Sequence, residues 1–159
     1  MEQITFFNAA KDNQSSSTTQ ICLPPKVIWL NRFSLFLLFF WFGMLKVISA
    51  SPAEALVTHL HQLTIARFMP IQPFMIALGI LECSIGLMWL FPKVTRYVLI
   101  LFLIQMLTTF LPLIILPLET WQNMLVLTLS GQYIMKNVVL VASAFTIYYD
   151  CRVRGWKIF

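Results

Sequence analysis

The feature that most constrains this chain is a series of four long apolar runs. The runs cover residues 27–49, 70–91, 97–118 and 132–149. Each holds about 20 residues, enough to cross the ~30 Å hydrocarbon layer of a bilayer as an α-helix. Only 11% of the 159 residues are charged, whereas a soluble domain carries about 25%. The sequence therefore predicts an all-α integral membrane protein, a four-transmembrane-helix bundle over residues 27–150.

Prolines indicate where the predicted membrane helices begin, bend and end. Pro70 and Pro73 suit the first turn of the second helix, where a missing N–H group matters least. Pro112 predicts a kink inside the third helix, and Pro117 predicts its end. The short connection 92–96 predicts that the second and third helices form an antiparallel hairpin.

The segment between the first two runs predicts a short periplasmic helix that lies on the membrane surface. Ser51, Pro52 and Glu54 have the spacing of a capping box with proline at the first helical position. Apolar residues then recur on one face as far as Thr64, whereas polar residues, among them His61, face away. An ordinary polar loop is the alternative.

The distribution of lysine and arginine predicts that both termini face the cytosol. Most basic residues fall on one side of the predicted membrane helices: Lys11, Lys26, Arg32, Lys93, Arg96, Arg152, Arg154 and Lys157. An excess of basic residues marks the cytoplasmic side. Residues 1–26 are polar and predict a flexible cytoplasmic tail, and residues 151–159 predict a basic cytoplasmic end.

Several functional classes lack support in the sequence. The formal net charge of +5 does not gather on one face, which argues against nucleic-acid binding. Cys22, Cys83 and Cys151 form no C-x-x-C pair. No predicted span contains a histidine for axial haem ligation. We therefore expect no metal and no evident cofactor, and the lipid bilayer is the first expected partner.

Three charged residues, Lys46, Glu82 and Lys136, interrupt the apolar runs. A charge at the bilayer centre costs at least ~2.5–3.5 kcal/mol on insertion scales, so it needs a partner or a function. Together with Gln105 these residues predict a polar pocket open to the outside. Lys46 and Lys136 would stand at its mouth, and Glu82 and Gln105 at its floor.

Further polar residues are expected to support this pocket. Glu54 and Glu119 can pair with the lysines from the outer loops, and Gln132 shares a helix face with Lys136. Two lysines over one carboxylate can hold an anion, a quinone head group or a proton relay. The alternatives are an ion pair that only locks the helices, or lysines that extend to the interface and form no site.

Three motifs fall in the helices expected for a known family. They are Trp41-Phe42-Gly43-Met44-Leu45-Lys46 after Arg32-Phe33-Ser34-Leu35, Gly79-Ile80-Leu81-Glu82 with Gly86, and Gly131-Gln132-Tyr133-Ile134-Met135-Lys136-Asn137. Over residues 32–144 the chain resembles the DoxX-like bacterial membrane proteins and is most similar to the YkgB-like branch. Glu54 matches an acidic residue of an external segment in that branch. Gln132 departs from the pattern, which has arginine there.

The resemblance implies a four-helix protein of the bacterial inner membrane, with Lys46, Glu82 and Lys136 as site residues. The family is linked to oxidant resistance and to the small subunit of a thiosulfate:quinone oxidoreductase. A redox-associated protein that binds a quinone or small oxidant is one expectation, with a homo-oligomer or a membrane redox partner. A non-enzymatic anchor for a partner protein and a small transporter are the others. The sequence does not decide whether the chain is an enzyme.

Overall fold

The computed structural model describes residues 23–155, and these residues are mainly helical. The helices are α1 Pro25–Val47, α2 Glu54–Thr64, α3 Ile71–Trp89, α4 Thr95–Phe110, α5 Pro112–Ile115, α6 Pro117–Thr120 and α7 Leu129–Val153. A 3-10 turn, Pro92–Val94, joins α3 to α4. Strands β1 Trp121–Asn123 and β2 Val126–Leu127 pair as an antiparallel hairpin before α7. The predictions for residues 1–22 and 156–159 lie outside the described residues.

Within residues 23–155, three helical segments are long and apolar enough to cross a membrane. They are Pro25–Val47, Ile71–Trp89 and Pro92–Ile115, of which the third includes the 3-10 turn, α4 and α5. These segments correspond to the first three predicted runs. The 25-residue α7 is long enough for a span but is more polar, since it carries Lys136, Asp150 and Arg152. The length and apolar composition of these helices thus indicate a membrane protein.

Proline shapes the helices as the sequence predicts. Pro70 is the residue before the first turn of α3, whereas α1 begins at Pro25, two residues before the predicted run and within the segment predicted as a tail. Pro112 lies where α4 gives way to the four-residue α5, and Pro117 begins the separate turn α6. Because proline lacks an N–H group and its ring clashes with the preceding turn, the α4 helix cannot continue unbroken through residue 112.

Helices α1 and α3 pack with their backbones in close contact. A Cβ atom added to Gly43 would lie 2.7 Å from the carbonyl oxygen of Gly79, and one added to Gly79 would lie 2.7 Å from the carbonyl oxygen of Gly43. Gly86 makes a similar approach to Phe40. Small residues permit such contacts between membrane helices. The glycines therefore fix the register of α1 against α3.

A hydrophobic core joins α1, α3, α4 and α7. Its buried members are Leu35, Phe39, Ile85, Trp89, Val98, Leu99, Phe102, Met106, Ala144, Ile147 and Cys151. The ring of Phe102 lies 5.2 Å from that of Phe39 and 5.6 Å from that of Trp89, between centroids. Helix α7 is therefore packed into the bundle although it is the most polar of the four long helices.

The predicted helix after α1 is present, but its beginning and its polar face differ from the prediction. Helix α2 begins at Glu54, and the Ser51 hydroxyl accepts only the Ala53 N–H, at 3.3 Å, so the capping box does not form. His61, expected to face away from the protein, is buried. Its Nε2 lies 2.8 Å from the Met69 carbonyl oxygen, and its ring contacts Phe74. The chain that follows α2 turns back and covers this histidine.

Candidate functional site

Three of the predicted pocket residues meet between α1, α3 and α4. The Lys46 ammonium group donates to Glu82 Oε2 at 2.5 Å, and the Gln105 amide donates to Glu82 Oε1 at 3.2 Å. All three side chains belong to buried residues. We call Lys46, Glu82 and Gln105 the Glu82 cluster. Each oxygen of its carboxylate has a donor from a different helix.

The glycine contact between α1 and α3 places the ion pair. A Cβ atom on Gly79 would lie 3.1 Å from the Lys46 Cβ, so Lys46 leaves α1 directly beside Gly79. Glu82 lies three residues after Gly79, about one turn along α3. Since helical side chains lean toward the N-terminus of their own helix, the lysine stem runs back along α1 toward Glu82. Residues 43, 46, 79 and 82 thus act as one packing unit.

Gln105 lies in the last regular part of α4 before the break at Pro112. Its main-chain carbonyl accepts hydrogen bonds from the hydroxyls of Thr108, at 2.7 Å, and Thr109, at 2.9 Å. Hydroxyls that bond back to the preceding turn in this way bend helices. The local shape of α4 therefore positions the Gln105 side chain toward Glu82 next to a helix interruption.

The opposite charges of Lys46 and Glu82 cancel, but each is stable in the buried Glu82 cluster only while the other is present. In a buried ion pair the removal of one partner leaves an uncompensated charge and costs about 3–5 kcal/mol. The amide of Gln105 adds a neutral donor to the second carboxylate oxygen. The cluster can therefore donate further hydrogen bonds from Lys46 and Gln105, or lock three helices together.

Lys136 does not join the Glu82 cluster. It is exposed on α7, and its Nζ lies 4.7 Å from the centroid of the Tyr133 ring. The buried face of this part of α7 carries Gly131 and Ile134. Lys136 follows Ile134 by two residues, about 200° around the helix, and so projects from the opposite face. The predicted mouth with two lysines is therefore not formed by this arrangement.

The three supporting residues also take other positions. Glu54 is exposed in the first turn of α2. Glu119 lies 2.5 Å from His59 Nδ1 and so links α6 to α2. The Gln132 amide donates to the Leu127 carbonyl oxygen at 3.4 Å, between α7 and the hairpin. The structure brings none of these three residues to Lys46 or Lys136.

A second buried polar group, not expected from the sequence, lies at the opposite end of the bundle. Arg32 is only 2% exposed. Its guanidinium donates to the Trp89 carbonyl oxygen at 2.9 Å, to the Thr95 hydroxyl at 2.8 Å and to Cys151 Sγ at 3.1 Å. Asp150, also buried, accepts from Arg154 Nε at 2.7 Å. We call Arg32, Thr95, Asp150 and Cys151 the Arg32 cluster.

The sequence did contain a signal for the position of Arg32. The buried residues of α1 are Ile28, Arg32, Leu35, Phe39, Gly43 and Lys46. Their spacing of three or four residues is that of one helix face. Counted with the other basic residues, Arg32 indicates only a position toward the cytoplasmic side. Its place on the same face as Phe39, Gly43 and Lys46 indicates burial instead.

An apolar layer separates the two clusters. Arg32 and Lys46 are 14 residues apart on α1, about 21 Å along the helix axis. Between them lie the buried rings of Phe39 and Phe102 and the side chains of Ile85 and Ile147. Within residues 23–155 no hydrogen-bonded side-chain path crosses this layer. The two clusters are therefore separate polar groups within the bundle.

Metal chemistry and known relatives do not define the site. The described part of the chain contains no group of three or more His, Cys, Asp or Glu residues that can hold a metal ion. No family model, curated protein or solved structure matches the chain. The Glu82 cluster and its surroundings are therefore the basis for any proposed function.

Proposed function

We propose that the chain is a four-span protein of a bacterial inner membrane in which α7 is the fourth transmembrane helix. Its 25 residues extend over about 37 Å, and its Ala144 and Ile147 lie in the core shared with the three apolar spans. Basic residues at the Arg32 end, including Lys26, Lys93 and Arg96, support a cytoplasmic position for that end. Helix α2 then lies on the periplasmic side.

We propose that the Glu82 cluster binds the head group of a quinone or a similar small molecule, in a redox-associated role. The observation that carries this proposal is a carboxylate held by an ammonium and an amide inside membrane-spanning helices. Charged residues in such segments are costly and often mark functional sites. The side chains of Lys46 and Glu82 keep exposures of 9% and 11%, so the pair is close to the protein surface.

The chemistry of the three residues suits a quinone. A quinone presents two carbonyl oxygens, which accept hydrogen bonds. Lys46 has three donor hydrogens and Gln105 has two on its amide, and Glu82 uses one of each. Both residues can therefore also donate to a carbonyl oxygen beside the carboxylate. Glu82 is the group that exchanges a proton with the hydroxyl of the reduced form.

The resemblance to DoxX-like proteins also supports quinone binding at the Glu82 cluster. Lys46 and Glu82 fall at polar positions of the family motifs, and these two residues form an ion pair at 2.5 Å. The family link to oxidant resistance and to a quinone oxidoreductase agrees with a redox-associated site. In this role the chain binds the quinone and exchanges protons with it, and a membrane partner transfers the electrons.

A titration with a short-chain quinone in nanodiscs tests the proposal. Gln105→Leu removes a neutral donor, so the ion pair and the fold are expected to persist. We expect saturable binding to wild type and about tenfold weaker binding to Gln105→Leu, equivalent to ~1.4 kcal/mol. Gln122→Leu, at an exposed hairpin position, is the matched control and should bind as wild type does. Equal binding by wild type and Gln105→Leu would contradict the proposal.

A second function, an anchoring subunit for a membrane partner, is supported by one specific observation. Both Glu82 oxygens already have donors from this chain, so the cluster is complete as a lock between α1, α3 and α4. In that case wild type binds no quinone, and Glu82→Gln lowers only the thermal stability. Cross-linking in native membranes would then find a partner protein that the purified chain lacks.

A further inference from the structure

Lys136 is an exposed cation on α7 that has no acidic partner among residues 23–155. The ion pairs in this part of the chain join Lys46 to Glu82, His59 to Glu119 and Arg154 to Asp150. The Lys136 ammonium group instead lies over the Tyr133 ring. The exposed residues one turn away on the same face are Gln132, Tyr133 and Val139, and Met135 beside it is also exposed. The positive charge therefore lies on an exposed and mainly apolar surface.

The depth of Lys136 follows from the contact between Arg32 and Cys151 at the other end of the bundle. From that contact, Lys46 is 14 residues along α1 and Lys136 is 15 residues along α7, about 21 and 22 Å. If the hydrocarbon layer of ~30 Å begins at the level of Arg32, Lys136 lies roughly 8 Å inside the opposite boundary. An isolated charge is costly at that depth.

The direction of the side chain relieves this cost. Helical side chains lean toward the N-terminus of their helix, and α7 begins at Leu129, at the α1 C-terminal end of the bundle. The Lys136 stem therefore extends toward the nearer membrane surface, as long basic side chains do at helix ends. Tyr133, one turn closer to that surface, supplies a ring of the kind that favours the interface.

We propose that Lys136 and Tyr133 form a binding site for the head group of an anionic phospholipid in the periplasmic leaflet. The phosphate is the complementary charge that lies at the depth the ammonium group reaches, and the acyl chains cover the apolar side chains of Met135 and Val139 beside it. The site rests on the four-span topology proposed above and is independent of quinone binding at the Glu82 cluster.

The test uses full-length protein in nanodiscs that contain a phosphatidylglycerol carrying a photoreactive group near its phosphate. Adducts are located by peptide mass spectrometry. We expect adducts on α7 around Tyr133 in wild type and in Lys136→Arg, and at least tenfold fewer in Lys136→Gln. Adducts near Lys93, an exposed lysine at the other end of the bundle, should not change. A matched phosphatidylcholine probe should give several-fold fewer adducts around Tyr133.

Other outcomes would overturn the proposal. Equal labelling of α7 in wild type and Lys136→Gln would show that the lysine does not bind the lipid. A wild-type dimer that Lys136→Gln converts to monomer, without labelled α7, would assign the lysine to a second copy. If Lys136→Gln fails to fold, Tyr133→Leu replaces it, with an expected loss of about threefold. The quinone affinity of Lys136→Gln should equal that of wild type, because the lipid site and the Glu82 cluster are independent. A reporter fused at Asn123 tests separately whether the hairpin lies on the periplasmic side.

Discussion

Glu82 accepts a hydrogen bond at each carboxylate oxygen, from Lys46 on α1 and from Gln105 on α4. In a medium of low dielectric constant such an arrangement is stable only as a set, because each unpaired charge loses its hydration without compensation. The proposed binding of a head group would use the same two donors. Stability and binding at this position are therefore separable only by variants that preserve charge balance.

The first prediction concerns that balance. Glu82→Gln leaves the Lys46 ammonium buried without an anion, so we expect a loss of about 3–5 kcal/mol in the free energy of unfolding. Adding Lys46→Met to Glu82→Gln removes the orphaned charge and should recover most of the loss. Equilibrium unfolding in mixed micelles measures both. His59→Gln, which breaks an exposed pair with Glu119, is the control and should cost at most about 1 kcal/mol.

The second prediction concerns Arg32, whose guanidinium reaches three acceptors on α3, α4 and α7. Lysine keeps the charge but not the planar fork of donors. Since hydrogen bonds to charged groups contribute about 1.5–3 kcal/mol each, Arg32→Lys should lower the unfolding free energy by roughly 2–4 kcal/mol. The same unfolding assay applies. Arg96→Lys, at an exposed position, should change it by less than ~0.5 kcal/mol, and equal effects would contradict this account.

At the scale of elements, the contact between α1 and α3 depends on the absence of side chains at Gly43 and Gly79. Backbone atoms of one helix lie where the Cβ of the other would be. Backbone cannot move aside as a flexible side chain can, so added volume must separate the helices. Their separation would also move Lys46 away from Glu82.

The third prediction tests this contact. Gly79→Leu should lower the unfolding free energy by about 1–3 kcal/mol or more through overpacking, whereas Ala77→Leu on the exposed face of the same helix should change it by less than ~0.5 kcal/mol. Both variants add a leucine to the same helix. Intrinsic helix propensity alone would favour Gly79→Leu, because glycine is ~0.8–1 kcal/mol worse than alanine in a helix. A Gly79→Leu protein as stable as Ala77→Leu would mean that the two helices do not approach as described.

Apolar run length and proline position carried most of the information about the elements. Three of the predicted spans and the break at Pro112 are present, because helix length and proline geometry are local properties. The start of α2 at Glu54 and the burial of His61 depend on how the following chain folds back. This contact between α2 and the chain that follows it is tertiary, and the hydrophobic periodicity of the sequence does not predict it.

Among the polar residues too, contacts set by helix spacing were predictable, and contacts set by tertiary packing were not. Lys46, Glu82 and Gln105 meet because their depths and helix faces are encoded in spacing. Lys136 has a comparable depth but projects from the other face of α7, since Gly131 and Ile134 occupy the packed side. Glu119 was expected to find a lysine and instead contacts His59, a partner that only the docking of α2 brings near.

At the scale of the whole molecule, the chain places two buried polar clusters at different levels of one bundle, separated by an apolar layer. The Arg32 cluster joins α1, α3, α4 and α7 at one end. The Glu82 cluster joins α1, α3 and α4 near the other. In the proposed orientation the first closes the cytoplasmic end, and the second faces the periplasmic half of the membrane, where a lipid-soluble head group can approach.

The most direct test of binding at the Glu82 cluster is a quinone titration of the charge-balanced variant Lys46→Met with Glu82→Gln. This protein is expected to keep most of the wild-type stability, since no unpaired charge remains. We predict that a short-chain quinone binds wild type saturably in nanodiscs and binds the double variant at least tenfold more weakly, ~1.4 kcal/mol or more. Unchanged binding by a stable double variant, or no binding by wild type, would show that the Glu82 cluster is a structural lock and not a binding site.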